Sequence, residues 1–146
     1  MTLCLCRVLR PSCAAYSHLM VTVLIAERRP ARLAALEAAL VREGVDVLTA
    51  STTLGVLRLA RLSRVRVVLL DLGLPPLGET PVFDEVLASG VDLRVIALAE
   101  RHDGDDAVSY LDHGAVDYLA KPVSVIETVA RVRAQLRCVA LASKAA

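Results

Sequence analysis

Val67-Val68-Leu69-Leu70-Asp71-Leu72-Gly73-Leu74-Pro75-Pro76 is the stretch that decides the fold. Its apolar, β-branched-rich run reads as a strand buried on both faces, the kind found in parallel sheets covered by helices. Gly73, Pro75 and Pro76 stop the run abruptly. Asp71 stands at the stop, and in an open α/β sheet that end of a strand faces the crevice where ligands bind. A lone aspartate in such a place often does no more than turn the loop. The rest of the chain argues for more.

Outward from this stretch, strands and helices alternate. Val21 to Ala26 is a short apolar strand. Pro30 fits the first turn of a helix whose Leu33, Leu36, Leu40 and Val41 repeat at helical spacing down to Gly44, a C-terminal stop. Val45 to Leu48 is a second strand, and a second helix from Thr53 to Leu62 carries Leu54, Leu57 and Ala60 or Arg61 as its stripe. The third strand, Arg66 to Leu70, leads into Asp71. A third helix runs from Thr80 to Ser89, a fourth strand from Leu93 to Leu98, and a fourth helix from the acidic segment at His102 to Asp106 as far as Gly114. Val116 to Leu119 is the fifth strand. Ser124-Val125-Ile126-Glu127 reads as a capping box, followed by Val125, Val129, Val132 and Leu136 as the stripe of a fifth helix. Five strand–helix units with short connections imply an α/β fold: a five-stranded parallel sheet with helices on both faces, in flavodoxin-like order.

The 146 residues support one domain with a proper core. Its core must be Leu, Val, Ala and Ile, because 55% of the chain is hydrophobic and only 3% aromatic. No apolar run is long enough to span a bilayer, so no membrane is expected. A net charge of +1 makes the domain by itself a poor candidate for binding DNA. Cys4, Cys6, Cys13 and Cys138 match no zinc spacing, and reduced thiols in a cytoplasmic protein are the expected state. Residues 1–19 are read as a disordered leader with the folded part starting at Met20, residues 20–138 as the domain, and 139–146 as a flexible tail.

The carboxyl ends of the strands would bring together Glu27 and Arg28, Asp71, Ala99, and Lys121 followed by Pro122. Two carboxylates and a lysine in one crevice suit phosphate and metal chemistry, and a carboxylate can itself carry a phosphoryl group. Three pieces, Val-Leu-Ile-Ala-Glu-Arg-Arg-Pro at 23–30, Val-Val-Leu-Leu-Asp-Leu-Gly-Leu-Pro at 67–75 and Gly-Ala-Val-Asp-Tyr-Leu-Ala-Lys-Pro at 114–122, occur in order. With them the chain from about Val21 to Arg137 resembles the receiver domain of a two-component response regulator.

The resemblance implies a (βα)5 module of phosphorelay signal transduction rather than an enzyme. Asp71 falls on the phospho-acceptor, Lys121 on the lysine that contacts the phosphoryl group, and Tyr118 on the aromatic switch residue. Glu27, Asp71 and the Gly73 carbonyl fall on the Mg²⁺ ligands. Two positions depart from the family. Arg28 replaces the second acid after the first strand, and Ala99 replaces the Thr or Ser that serves as the other switch position. A cation about 4 Å from a carboxylate contributes on the order of 4 kcal/mol at an effective dielectric of about 20, which opposes Mg²⁺ and favours Arg28 pairing with Asp71 in a bidentate fashion.

The expected function is therefore an atypical receiver that works by protein contact with weak or no phosphorylation. The alternative is a conventional Mg²⁺-dependent acceptor of phosphate from a histidine kinase. The partners implied are a histidine kinase or other signalling protein, and a homodimer through the fourth helix, fifth strand and fifth helix, where Arg131, Arg133 and Arg137 would face acidic residues. A role in transcription regulation follows from the family alone, because no DNA-binding domain is read in this chain. A flavodoxin-like cofactor binder fits poorly, since the loops after the strands contain no glycine-rich phosphate cradle.

Overall fold

The computed structural model describes residues 21–62, 64–89, 92–101 and 104–145. The expected leader over 1–19 and the start at Met20 lie outside these residues. Ten elements alternate: β1 (Thr22–Ala26), α1 (Pro30–Arg42), β2 (Asp46–Ala50), α2 (Thr53–Ala60), β3 (Val65–Asp71), α3 (Val82–Ala88), β4 (Arg94–Ala99), α4 (Gly104–Asp112), β5 (Ala115–Ala120) and α5 (Val125–Ala145). The strands form one parallel sheet in the order β2-β1-β3-β4-β5. This is the doubly wound, flavodoxin-like arrangement expected from the alternating pattern.

Because strand side chains alternate, each strand feeds two cores. Val23, Ile25, Val67, Leu69, Ile96 and Leu98 face α1 and α5. Leu24, Val68, Leu70, Val95 and Ala97 face Val56 of α2 and Phe83 and Val86 of α3. The aromatic shortage leaves Phe83 as the largest fully buried side chain. Its ring meets Tyr110 of α4 edge-on at 5.0 Å. Tyr110 in turn stacks on Tyr118 at 5.9 Å, so α4, which has no buried residue, is held largely through an aromatic ladder.

Three local expectations are corrected. In α2 the buried positions are Thr53, Val56 and Ala60, while Leu54 is 45% exposed. Leucines at 54, 57 and 59 put apolar residues on several sides, so spacing alone does not set the phase. Packing of Val56 and Ala60 against the sheet does, and Thr52 fixes the start of the helix as an N-cap whose hydroxyl accepts from Gly55 N at 3.2 Å. In α1, Ala39 rather than Val41 completes the buried stripe with Leu36 and Leu40, and Val41 lies on the exposed side. Finally, α5 continues as helix through Ala145 instead of giving way to a tail after 138. Val139 extends the Val132 and Leu136 stripe by one more turn against the α1 side of the core.

The α2 phase has a measurable consequence. Val56→Ala should cost about 2 kcal/mol, whereas Leu54→Ala should stay within about 0.5 kcal/mol of the parent. Urea unfolding midpoints compare the two directly.

Candidate functional site

Register brings the functional side chains to one edge. Ala26 aligns with Leu70, Asp71 with Leu98, and Ala99 with Ala120. Glu27, Asp71, Glu100 and Lys121 therefore sit together at the carboxyl ends of β1, β3, β4 and β5. The ladder continues just past the strands, where Leu72 N donates to Leu98 O at 2.9 Å and Lys121 N to Ala99 O at 2.7 Å. Leu74 N donates to Asp71 O at 3.2 Å and turns the loop. The hydroxyl of Thr53 donates to Pro75 O, tying that loop to α2. Asp71 thus turns the loop with its backbone carbonyl, and its side chain both braces that turn through Gly73 N and lines the crevice.

Asp71 is fully buried, and its carboxylate is satisfied on both oxygens. Oδ1 accepts from Gly73 N at 2.9 Å and from Lys121 Nζ at 3.0 Å. Oδ2 accepts from Arg28 N and faces Arg28 Nε, each at 3.4 Å. Burial alone would raise the Asp71 pKa, but the Gly73 amide, Lys121 and the Arg28 amide outweigh it and hold it below the ordinary carboxylate range.

Arg28 pairs with Asp71 through Nε at 3.4 Å, but not in bidentate form. Its guanidinium spreads over three acceptors: Nε toward Asp71, Nη1 to Gly73 O at 3.2 Å, and Nη2 to Glu100 Oε1 at 2.6 Å. The reason is competition. Lys121 already takes Asp71 Oδ1, and Glu100, 38% exposed, offers a second carboxylate. The hydrogen bond to Glu100, with the charges of Asp71 and Glu100, raises the Arg28 pKa further above its usual value. The guanidinium lies so close to Gly73 that a Cβ there would fall 2.7 Å from Arg28 Cζ.

Glu27, also fully buried, is held differently. Oε1 accepts from Arg29 N at 3.0 Å. Oε2 lies 3.3 Å from Arg32 Nε and 3.4 Å from Lys121 Nζ, at ion-pair distance but outside hydrogen-bond geometry. Arg32 also donates to Val123 O at 3.1 Å and so pins the segment after Lys121 to α1. A cation in the first turn of a helix opposes the helix dipole; the buried Glu27 charge offsets that cost.

Sequence reasoning missed Glu100, Arg29 and Arg32. Glu100 had a usable signal, because it directly follows Ala99 at a crevice-facing strand end. It pairs with more cationic side chains than Asp71 or Glu27 does. Its carboxylate meets Arg28 at 2.6 Å, Arg29 at 3.1 Å and Lys121 at 3.3 Å, and the Arg28 hydrogen bond leads in lowering its pKa. Ala99 is buried and offers only its backbone carbonyl, to Lys121 N. Tyr118 stacks on Tyr110, and its hydroxyl donates to Arg101 O at 3.3 Å, on the α4 side of the sheet. Two of the three α5 arginines are engaged within the chain: Arg131 with Asp117 at 3.2 Å and Arg133 with Glu43 of α1 at 3.2 Å, while Arg137 is exposed.

With this geometry in place, the comparisons with known proteins are decisive. The response regulator receiver domain matches residues 23–133. The chain belongs to that family. It is 42% identical over 118 residues to the transcriptional regulatory protein KdpE of Mycobacterium tuberculosis, covering 81% of this chain and 52% of that relative. It is 38% identical over 115 residues to the transcriptional regulatory protein PrrA of the same organism, covering 79% of this chain and 49% of PrrA. The receiver thus spans about half the length of these relatives. Among solved structures, the receiver domain of the Francisella response regulator 1452 superposes with a TM-score of 0.74 at 22% identity, over 82% of this chain and 98% of the other. A receiver domain protein from Clostridium thermocellum gives 0.71 at 25% identity, over 83% and 98%. No helix among the described residues is long and apolar enough to cross a membrane.

The depressed Asp71 pKa fixes the sign of a pH effect. The ionised form is favoured by folding, so its contribution is complete above the ordinary carboxylate pKa of about 4. That contribution is lost as pH falls through the lower folded value. Urea midpoints measured downward through the acid range should therefore fall more steeply for the wild-type receiver than for Asp71→Asn. Equal slopes would show that Asp71 is not the group responsible.

Proposed function

We propose that this receiver is atypical, regulating by protein contact with weak or no phosphorylation at Asp71. The observation that carries this reading is the position of Arg28. Its guanidinium engages Asp71 Oδ2 and Gly73 O, the two oxygens that the family resemblance assigns to Mg²⁺ along with Glu27. The donor set fits a protein cation better than a dication. Arg28 beside a dication would be opposed by on the order of 4 kcal/mol per unit charge pair at about 4 Å and an effective dielectric near 20. Glu27 already faces Arg32 and Lys121. Ala99 brings no hydroxyl to a phosphoryl group.

Phosphoryl transfer depends on positioned charge more than on covalent help from the protein. A pocket whose two buried acids are matched by Arg28, Arg32 and Lys121 is poorly placed to rearrange around an incoming phosphate. Signalling then runs through contacts with a histidine kinase or another signalling protein. A link to transcription is suggested by relatives named as transcriptional regulators. A homodimer through α4, β5 and α5 remains the second partner reading. Its support lies in the exposed Val108 and Leu111 of α4 more than in Arg131 and Arg133, whose charges are met within the chain.

Intact mass after incubation with a small-molecule phosphodonor separates this reading from a conventional Mg²⁺-dependent acceptor. The wild-type chain should gain little or no phosphate with or without Mg²⁺. The double variant Arg28→Asp with Ala99→Thr should gain one phosphate in Mg²⁺. Stoichiometric, Mg²⁺-dependent labelling of the wild type, lost in Asp71→Asn, would overturn the reading.

A further inference from the structure

Two cations bridge the same two carboxylates in parallel. Lys121 Nζ hydrogen-bonds Asp71 Oδ1 at 3.0 Å and Glu100 Oε1 at 3.3 Å. Arg28 faces Asp71 Oδ2 with Nε at 3.4 Å and bonds Glu100 Oε1 with Nη2 at 2.6 Å. Arg29 closes the far side, donating to Glu100 Oε1 at 3.3 Å and Oε2 at 3.1 Å. One oxygen, Glu100 Oε1, is thus shared by three cationic side chains next to Asp71. The backbone builds this cradle: Arg28 and Arg29 follow β1, and Lys121 is fixed by its N–H on Ala99 O.

We propose that these three cations form an oxyanion subsite beside Asp71 and that Glu100 is its internal occupant, excluding phosphate-bearing ligands. The inference rests on the reading of the pocket as a fixed charge network and adds to it the group that fills the anion position. Asp71 and Glu27 are buried and cannot leave without unpairing charge in the interior. Glu100 is the partly exposed member, on the solvent side of the cluster. Three carboxylates against Arg28, Arg29, Arg32 and Lys121 leave the cluster at net +1. Neutralising Glu100 raises that to +2 and leaves Lys121 Nζ and Arg28 Nη2 with open donors aimed at one point. A tetrahedral oxyanion presents several acceptor oxygens to such donors, and arginine's planar fork suits phosphate.

The test is a titration of the ¹⁵N-labelled chain with inorganic phosphate in EDTA, against sodium chloride at matched ionic strength, following the Gly73 and Arg28 amides. The wild type should show no saturable, phosphate-specific shift. Glu100→Ala and Glu100→Gln should both bind phosphate at least about tenfold more tightly, which corresponds to about 1.4 kcal/mol. Adding Lys121→Met to Glu100→Ala should abolish that gain. Three results would each overturn the proposal: equal saturable binding by the wild type, no gain in Glu100 variants that keep a folded spectrum, or binding that survives Lys121→Met. Because no metal or phosphodonor is present, the outcome is independent of whether Asp71 can be phosphorylated. A wild type that labels in Mg²⁺ would defeat the atypical reading and leave the Glu100 result intact.

Discussion

A carboxylate removed from water at the end of a buried strand must be matched by charge and hydrogen bonds, and the Asp71 pocket is organised around that requirement. Asp71 is fully buried and draws a backbone amide from its own loop, a lysine from the end of β5 and an arginine from the end of β1. Removing one partner of such a buried pair typically costs about 3–5 kcal/mol, because the other charge is left stranded. The requirement also couples elements far apart in sequence. The β1–α1, β3–α3 and β5–α5 connections all converge on one carboxylate, so their conformations are not independent.

Arginine changes what such a pocket can do. A small hydrated dication is exchangeable and accepts an incoming phosphoryl oxygen as a further ligand. A guanidinium is tethered, planar and permanently charged, and it is satisfied by the acceptors around it. Arg28 finds three acceptors on three different segments, while Arg32 holds Glu27 and reaches Val123 O. In this pocket the cations and the carboxylates are paired with one another. The surface ion pairs of α5 belong to a different class: they are exposed, screened by solvent and worth little individually.

Much of this was legible in the chain. The strand ending in Asp71, the Pro30 and Gly44 limits of the first helix and the Ser124 cap come from local chemistry, and the cap is seen in the bond from Glu127 N to Ser124 Oγ at 3.0 Å. Glu27, Arg28, Asp71 and Lys121 were found because strand ends in this topology point to one crevice. Leu54 was misassigned because α2 has apolar residues on more than one side, and only packing decides which of them face the sheet. Glu100 lies one residue past the strand end at Ala99, and its pairing with Arg28, Arg29 and Lys121 depends on distances between segments far apart in the chain.

The amino-acid sequence by itself determined the alternating elements, the parallel sheet and the set of charged residues at its carboxyl edge. These follow from periodicity, turn residues and the handedness of strand–helix–strand units, all of which act over short stretches of chain. Only the tertiary structure decided how the charges pair. Which acid Arg28 chooses depends on distances between residues 28, 71, 73 and 100, set by strand register and by Lys121 having already engaged Asp71. Electrostatic pairing in a buried site is a property of that three-dimensional competition, and no local pattern encodes its outcome.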